Sequence, residues 1–132
     1  MFRLKIEISS SVEQSLYRYI KFPNEVGGGL FGIKEEKCIQ IKAISMKQGE
    51  EARITFYDTD SRLFSPPEGL ILLGTWHSHP FQDNPIPSII DLTQWKIWQS
   101  EFLHLIIGER RLICCNSNGK IIKKAILTRR EI

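Results

Sequence analysis

Apolar and polar residues alternate at the start of the chain. Apolar side chains recur at every second position from Phe2 to Ile8, and this period predicts a half-buried β-strand. The serines from Ser9 to Ser11 then offer N-caps for a helix that we expect to run to about Ile20. Val12, Leu16 and Ile20 recur at helical spacing, so they are expected to face the core.

Further strands are predicted where β-branched and aromatic residues cluster between turn residues. They cover residues 30–33, 38–44, 52–57, 70–76, 102–107, 111–115 and 121–127. The first two form a hairpin about a charged turn, and one more helix is predicted over residues 88–100. Strands outnumber helices and their order is mixed. The fold class predicted is therefore mixed α/β (α+β), with a central sheet flanked by helices in a single domain, residues 1–132.

Composition changes this picture little. Apolar residues make up 42% of the 132 residues and charged residues 25%, which is an ordinary globular balance. The net charge of +3 is too small to argue for nucleic acid, which we consider an unlikely partner. The chain shows no secretory signal and no apolar run long enough to cross a membrane.

The cysteines point to a reducing compartment. Cys38, Cys114 and Cys115 are odd in number, and no C-x-x-C motif occurs. Neighbours on a strand point to opposite faces, so Cys114 and Cys115 are poorly placed for one disulfide or one metal. We interpret all three as buried or half-buried thiols and expect a cytoplasmic protein.

The residues that could form a metal-binding or catalytic site are in the stretch Trp76-His-Ser-His-Pro, followed by Pro87-Ser-Ile-Ile-Asp. On a strand, His77 and His79 point to the same face, where two imidazoles can bind one ion. Asp91 lies in the first turn of the next helix and can bring an oxygen to that ion. Zinc prefers four ligands, so these three would leave one position for water, which is the arrangement of a catalytic site. The bound ion would then make the water a usable nucleophile at neutral pH.

Each part of this pattern also has a structural interpretation. A lone H-x-H pair is more often a packing feature than a ligand pair, and Ser88-x-x-Asp91 is also a helix capping box. Asp83 is a weaker alternative carboxylate, better read as a turn residue. His104, alone among apolar residues, is interpreted as a core histidine with satisfied hydrogen bonds. The glycine run at residues 27–32 fits G-x-G-x-x-G but opens a strand pattern, so it does not predict nucleotide binding.

The sequence resembles the JAMM (MPN+) metalloproteases, whose signature is E…H-[ST]-H-P…S-x-x-D. His77-Ser-His-Pro80 and Ser88-Ile-Ile-Asp91 match it, and Glu25-Val-Gly-Gly-Gly-Leu-Phe-Gly is similar to the family's upstream element. The resemblance covers nearly the whole chain and implies a JAB/MPN-like fold, similar in outline to cytidine deaminases. Gly74-Thr-Trp-His and Asp91-Leu-Thr-Gln-Trp are especially similar to isopeptidases encoded with bacterial antiviral conjugation systems.

The resemblance also implies roles for individual residues. His77, His79 and Asp91 would bind zinc, Glu25 would be the catalytic base, and Ser88 would donate a hydrogen bond to the developing oxyanion. The expected activity is that of a zinc-dependent peptidase or isopeptidase acting after the C-terminal glycine of a ubiquitin-like protein or its conjugate. Conjugation enzymes of the E1 and E2 type are possible further partners. The glycines at residues 27–29 would let the substrate tail lie close to the backbone.

Two alternative functions and one departure accompany this resemblance. The chain could be a non-catalytic MPN-type scaffold, although such relatives typically lack ligands, or a zinc amidase with another substrate. The family usually has seven residues between the second histidine and the serine, whereas eight intervene here, residues 80–87. The departure concerns the shape of that loop more than the ligands.

Overall fold

A computed structural model describes residues 5–48, 61–83, 85–98 and 101–126. The strands described are β1 Lys5–Ile8, β2 Val26–Lys34, β3 Cys38–Ile44, β4 Lys47–Gln48, β5 Ile71–Ser78, β6 Leu103–Ile107, β7 Arg111–Cys115 and β8 Ile121–Ile126. The helices are α1 Ser10–Tyr19 and α2 Ile89–Trp95, and a 3-10 helix covers Ser61–Phe64. The strand predicted at residues 52–57 lies outside the described residues.

The strands form one mixed sheet. Its order is β1-β3-β2-β5-β6-β7-β8, and β4 pairs with the start of β2. Two pairs, β1 with β3 and β5 with β6, are parallel, and the remaining pairs are antiparallel. With one α-helix on each face, this sheet confirms the predicted mixed α+β fold class.

Helix α1 forms as its sequence predicts. The Ser9 hydroxyl caps the helix by accepting the backbone N–H of Val12, and the helix ends at Tyr19 with Ile20 as its C-cap. Val12 and Leu16 are buried in the larger apolar cluster of the molecule, together with residues of β1, β3, β5 and β6. The spacing of these residues therefore fixes which face of α1 lies on the sheet.

The two faces of β6 and β7 carry different apolar clusters. Leu105 and Cys114 belong to the larger cluster under α1, whereas Ile106, Ile113 and Cys115 pack with Trp95 of α2 on the opposite face. The prediction that Cys114 and Cys115 point to opposite faces is confirmed, and both thiols are buried. Strand alternation thus assigns each helix to one face of the sheet.

Three local features differ from the sequence prediction. Strand β2 begins at Val26, so the three glycines lie inside the strand and not before it. Helix α2 ends at Trp95 instead of continuing to residue 100, and Trp98 turns back to contact the rings of Phe64 and Phe102. These aromatic contacts outweigh the helical spacing of the sequence. Strand β4 and the 3-10 helix are too short for a periodic signal.

No helix within the described ranges is both long and apolar enough to cross a membrane.

Gly74 is required by the contact between the two central strands. A Cβ atom built on Gly74 would lie 1.8 Å from the backbone oxygen of Leu103, its partner on β6. A backbone oxygen within a paired strand cannot move aside as a flexible side chain can. Any side chain at position 74 must therefore push β5 and β6 apart.

We predict that Gly74→Ala lowers the free energy of unfolding by about 3 kcal/mol, because it overpacks the sheet backbone. The control is Gly69→Ala at a turn with a φ of +82°, where no heavy atom lies within 4 Å of the added methyl group. The control should lose only about 1 kcal/mol, the cost of a left-handed backbone. Urea unfolding followed by circular dichroism measures both, and equal losses would show that the strands absorb the methyl group.

Candidate metal centre

Strand β5 delivers the two histidines to one place. His77 lies near its end and His79 directly follows it, so both imidazoles project from the same face. Their Nε2 atoms are 2.9 Å apart, and the two residues are 1% and 5% exposed. The intervening Ser78 points the other way, where its hydroxyl accepts the backbone N–H of Val26. Alternate residues of this segment therefore have different tasks: His77 and His79 form the imidazole pair, and Ser78 bonds to β2.

Helix α2 brings the carboxylate of Asp91 to this pair. The Oδ1 atom lies 3.2 Å from Nε2 of His77, and Oδ2 lies 3.2 Å from Nε2 of His79. The capping box is also present, because the Ser88 N–H donates to Oδ2 at 2.8 Å and the Asp91 N–H donates to the Ser88 hydroxyl at 3.0 Å. The capping interpretation and the ligand interpretation of Asp91 are thus compatible in one geometry.

The electrostatics of this cluster favour a charged Asp91. Burial alone would raise the pKa of this carboxyl, but hydrogen bonds from His77 and His79 outweigh burial and hold the pKa well below its usual range. Burial likewise lowers the pKa of His79, yet the hydrogen bond to Asp91 and the nearby charge of Glu25 raise it above its usual value. An anionic centre beside two imidazoles is a site where a cation is stabilised.

The donor set fits a zinc ion. The ligand atoms of His77, His79 and Asp91 all lie within 4.8 Å of one another, and all three residues are buried. Two imidazole nitrogens and one carboxylate oxygen are common zinc ligands, and a set of three leaves a fourth position for water. Gln82 adds a supporting contact, since its Oε1 atom lies 3.3 Å from Nδ1 of His79. With a metal bound, a proton on Nδ1 would be donated to Gln82 and the Nε2 lone pair would be free for the ion.

Glu25 lies immediately before β2, at the end of the sheet that carries the histidines. Gly27 pairs directly with His77 in the antiparallel β2–β5 ladder, and Glu25 is two residues earlier, so it continues toward the level of His79. Glu25 is half-buried, and its charge contributes to the raised pKa of His79. The structure therefore places Glu25 within electrostatic reach of the cluster.

The glycines at residues 27–29 serve the fold of this chain. All three are buried, and a Cβ atom on Gly27 or Gly28 would approach a backbone oxygen of Trp76 or Ser45 to within 2.5 Å or 2.2 Å. Both edges of this segment are already bonded, one to β5 and the other to β4 and Ser45. We expected the backbone of these glycines to be approached closely by a substrate tail, but neighbouring strands occupy that position.

His104 is a satisfied core histidine, as predicted. It is fully buried, with Nδ1 2.7 Å from the Thr75 hydroxyl and Nε2 2.8 Å from the Ser117 hydroxyl. Burial lowers its pKa to about 3, so it stays neutral. Burial also raises the pKa of the Cys115 thiol to about 11, which makes this residue inert as a nucleophile.

The loop between His79 and Ser88 holds residues that sequence reasoning missed. Gln82 was not assigned a role, although its position three residues after His79 was a usable signal. Phe81 has a φ of +67°, the one non-glycine residue with positive φ among those described, and its N–H donates to the Glu109 carboxylate at 3.2 Å. No local sequence signal predicts this contact between Phe81 and Glu109. Asp83 is exposed and lies outside the metal-binding group.

Comparisons with solved structures agree with this fold. A comparison with curated proteins gives no match. Among solved structures, a JAB1/MPN domain protein from Archaeoglobus fulgidus is 19% identical with a TM-score of 0.57, covering 90% of this chain and 93% of that one. A protein from Desulfitobacterium hafniense is 17% identical with a TM-score of 0.57, covering 92% and 88%. A structure described as JAMM, a metalloprotease-like zinc site in the proteasome and signalosome, is 18% identical with a TM-score of 0.50, covering 90% and 94%.

These structural likenesses show the shared fold. The family of prokaryotic homologues of the JAB domain matches residues 10–118, a range that contains every residue of the cluster and its surroundings described above. With that match over most of its length, the chain belongs to the prokaryotic JAB-domain family.

Proposed function

We propose that this protein is a zinc-dependent peptidase or isopeptidase that cleaves the amide bond after the C-terminal glycine of a ubiquitin-like protein or its conjugate. The observation that carries the proposal is the buried group of His77, His79 and Asp91 with Glu25 beside it. The prokaryotic JAB family supports a hydrolase of this kind. The ubiquitin-like substrate follows from the sequence resemblance to JAMM isopeptidases.

Each residue of the group would have a separate task. Zinc, when bound, supplies an acidic water and a Lewis acid for the scissile carbonyl. His77, His79 and Asp91 would hold the ion, and the Gln82 contact would keep the ring of His79 oriented. Glu25 would take a proton from the attacking water and return it to the leaving nitrogen.

Ser88 can cap the helix and assist the reaction at the same time. Its oxygen accepts the Asp91 N–H, so the hydroxyl hydrogen remains available as a donor. The side chain of Ser88 is exposed, and its own backbone N–H is bonded to Asp91. A substrate oxyanion beside the metal would therefore accept a hydrogen bond from a hydroxyl whose position is already fixed.

The surface around the group supports a protein substrate. The three most exposed large apolar side chains among the described residues are Ile89 at 82%, Phe81 at 79% and Ile86 at 59%. All three lie on the segment between His79 and Asp91, which joins two of the three metal-binding residues. Exposed apolar residues of this kind mark binding surfaces for macromolecules more than for small polar metabolites.

Substitutions at Glu25 and Asp91 test the catalytic base and the zinc ligands separately. The protein should contain about one zinc per chain, and Glu25→Gln should keep that zinc while kcat falls by at least ~100-fold, because an amide cannot accept the proton. Asp91→Ala should lose zinc, since it removes one donor of three. Metal content by mass spectrometry and cleavage of ubiquitin-like C-terminal fusions, with a chelator control, measure both effects.

Two results would contradict this assignment. Turnover retained in Glu25→Gln would remove Glu25 as the base. A purified protein that holds no zinc, and whose properties do not change in His77→Ala, would favour the non-catalytic scaffold.

The two roles of Ser88 can be separated by substitution. Ser88→Ala should lower the free energy of unfolding by about 1 kcal/mol and kcat by ~100-fold, because it removes both cap and donor. Ser88→Asp should retain the cap, and with it the stability, yet show the same ~100-fold lower kcat because a carboxylate cannot donate. Ser88→Thr is the matched control that keeps both. Full activity in Ser88→Asp would show that the hydroxyl donates nothing to the reaction.

Phe81 tests the protein-substrate proposal. Phe81→Ala should raise KM for a ubiquitin-like fusion about tenfold, because an aromatic contact is lost, with kcat and zinc content unchanged. A short glycine-ended peptide should be cleaved as before, since it lacks the folded surface that would contact Phe81. The control is Ile71→Ala, also apolar and 50% exposed but six residues before His77 at the start of β5. An unchanged KM in Phe81→Ala, or an equal rise in Ile71→Ala, would refute the role of Phe81.

A further inference from the structure

His104 is a buried polar residue that the proposed reaction does not use. It lies on β6 opposite Thr75 of β5, and the hydroxyls of Thr75 and Ser117 bond its two ring nitrogens at 2.7 and 2.8 Å. A neutral imidazole has one donor and one acceptor, and a hydroxyl can supply either partner. Two hydroxyls, one on β5 and one in the turn after β7, therefore fix the plane of the ring.

The fixed ring supports the tryptophan of helix α2. Trp95 stacks on His104 with ring centroids 4.5 Å apart and an interplanar angle of 10°. The same indole lies 6.3 Å from the ring of His77, at a tilt of 59°. Trp95 is fully buried and thus contacts both a metal-site histidine and the imidazole held by Thr75 and Ser117.

The position of Trp95 determines the position of Asp91. The two residues are four apart on α2, so they lie on the same side of the helix, one turn from each other. Helix α2 has seven residues, and in the part of the chain that the structure describes Trp95 is its residue in the apolar cluster on this face, with Leu92 at the margin. A shift or rotation of Trp95 therefore moves the carboxylate relative to the two imidazoles.

The turn that carries Ser117 also touches α2. Gly119 in this turn has a φ of +84°, and a Cβ atom there would lie 2.3 Å from a terminal methyl carbon of Leu92, the neighbour of Asp91. Ser117 and Gly119 thus connect the same turn to His104 on one side and to the helix on the other. The contact of Ser117 with His104 and the contact of Gly119 with Leu92 together fix the distance between α2 and the sheet.

We propose that His104 is a positioning residue that, through its stack with Trp95, places Asp91 and so sets the affinity of the His77–His79–Asp91 group for zinc. The inference rests on the zinc site of the proposed function, but it requires neither the proposed substrate nor the proposed base. Its direct consequence is measured on the protein and zinc alone.

The experiment compares zinc affinity in four proteins by competition with a chromophoric chelator. His104→Gln retains hydrogen-bonding groups but removes the ring, and it should weaken zinc binding about tenfold, as loss of a supporting contact does at other metal sites. His104→Phe retains a flat ring against Trp95 and should stay within about threefold of the wild type. Leu105→Ala is the control, since this next residue on β6 is fully buried in the opposite cluster. It should lower the midpoint of thermal unfolding and leave zinc affinity unchanged.

A double-mutant cycle tests whether His104 acts through Trp95. Trp95→Leu should weaken zinc binding at least as much as His104→Gln, and the double variant should be no weaker than Trp95→Leu alone. Cobalt(II) in place of zinc gives a second readout, because its visible absorption reports ligand geometry. The spectrum should change in His104→Gln and Trp95→Leu, and stay as in the wild type in Leu105→Ala.

The outcomes separate this inference from the proposed function. Wild-type affinity and an unchanged cobalt spectrum in His104→Gln would overturn the inference and leave the proposed function intact. Equal weakening in Leu105→Ala, or losses that multiply in the double variant, would also overturn it. If His104→Gln does not fold, Trp95→Leu decides, and wild-type zinc affinity in that variant refutes the inference. A wild-type protein that binds no zinc refutes the proposed function itself.

Discussion

The buried carboxylate of Asp91 is the constraint on which the rest of the site depends. An anion removed from water costs several kcal/mol unless charged or hydrogen-bonding partners replace the solvent. Here the partners are the two imidazoles at the end of β5 and the backbone N–H of Ser88. They come from both ends of one loop, so satisfying the carboxylate fixes where the strand stops and where α2 starts.

The same carboxylate explains how one residue can cap the helix and also offer a ligand to a metal. The first turn of a helix presents unbonded N–H groups and a partial positive charge, which favour an acidic residue there. One oxygen of Asp91 can satisfy this need while both oxygens face imidazole nitrogens. The conflict between a structural and a functional reading of Ser88-x-x-Asp91 therefore disappears in three dimensions.

Parts of the structure formed by contacts between residues close in sequence could be predicted, and parts formed by contacts distant in sequence could not. Period-two alternation located β1, apolar and β-branched clusters between turns located β5 and β7, and serine caps located the start of α1, because those signals are local. The spacing of His77 and His79 sufficed to place both rings on one face. The premature end of α2 depends on contacts of Trp98 with Phe64 and Phe102, which are distant from the helix in sequence or follow it. The positive φ of Phe81 similarly depends on Glu109, which lies beyond the next helix and strand. Such long-range contacts cannot be recognised from the pattern of apolar and polar residues along the sequence.

The two faces of the sheet are unequal in a way that bears on local stability. Among the residues that the structure describes, the apolar cluster under α1 draws on most strands of the sheet. The cluster under α2 is smaller and consists of Trp95, Ile106, Ile113 and Cys115, with Leu92 and Trp98 at its margin. Segments with little apolar burial open at a lower free energy than the core. We therefore expect the face that carries the His77–His79–Asp91 group to be the less stable one, and a cation bound there would bridge β5 and α2 where apolar packing is smaller. Occupancy of such a site and packing of α2 on the sheet would then be coupled, because the same ion would bind ligands on both β5 and α2.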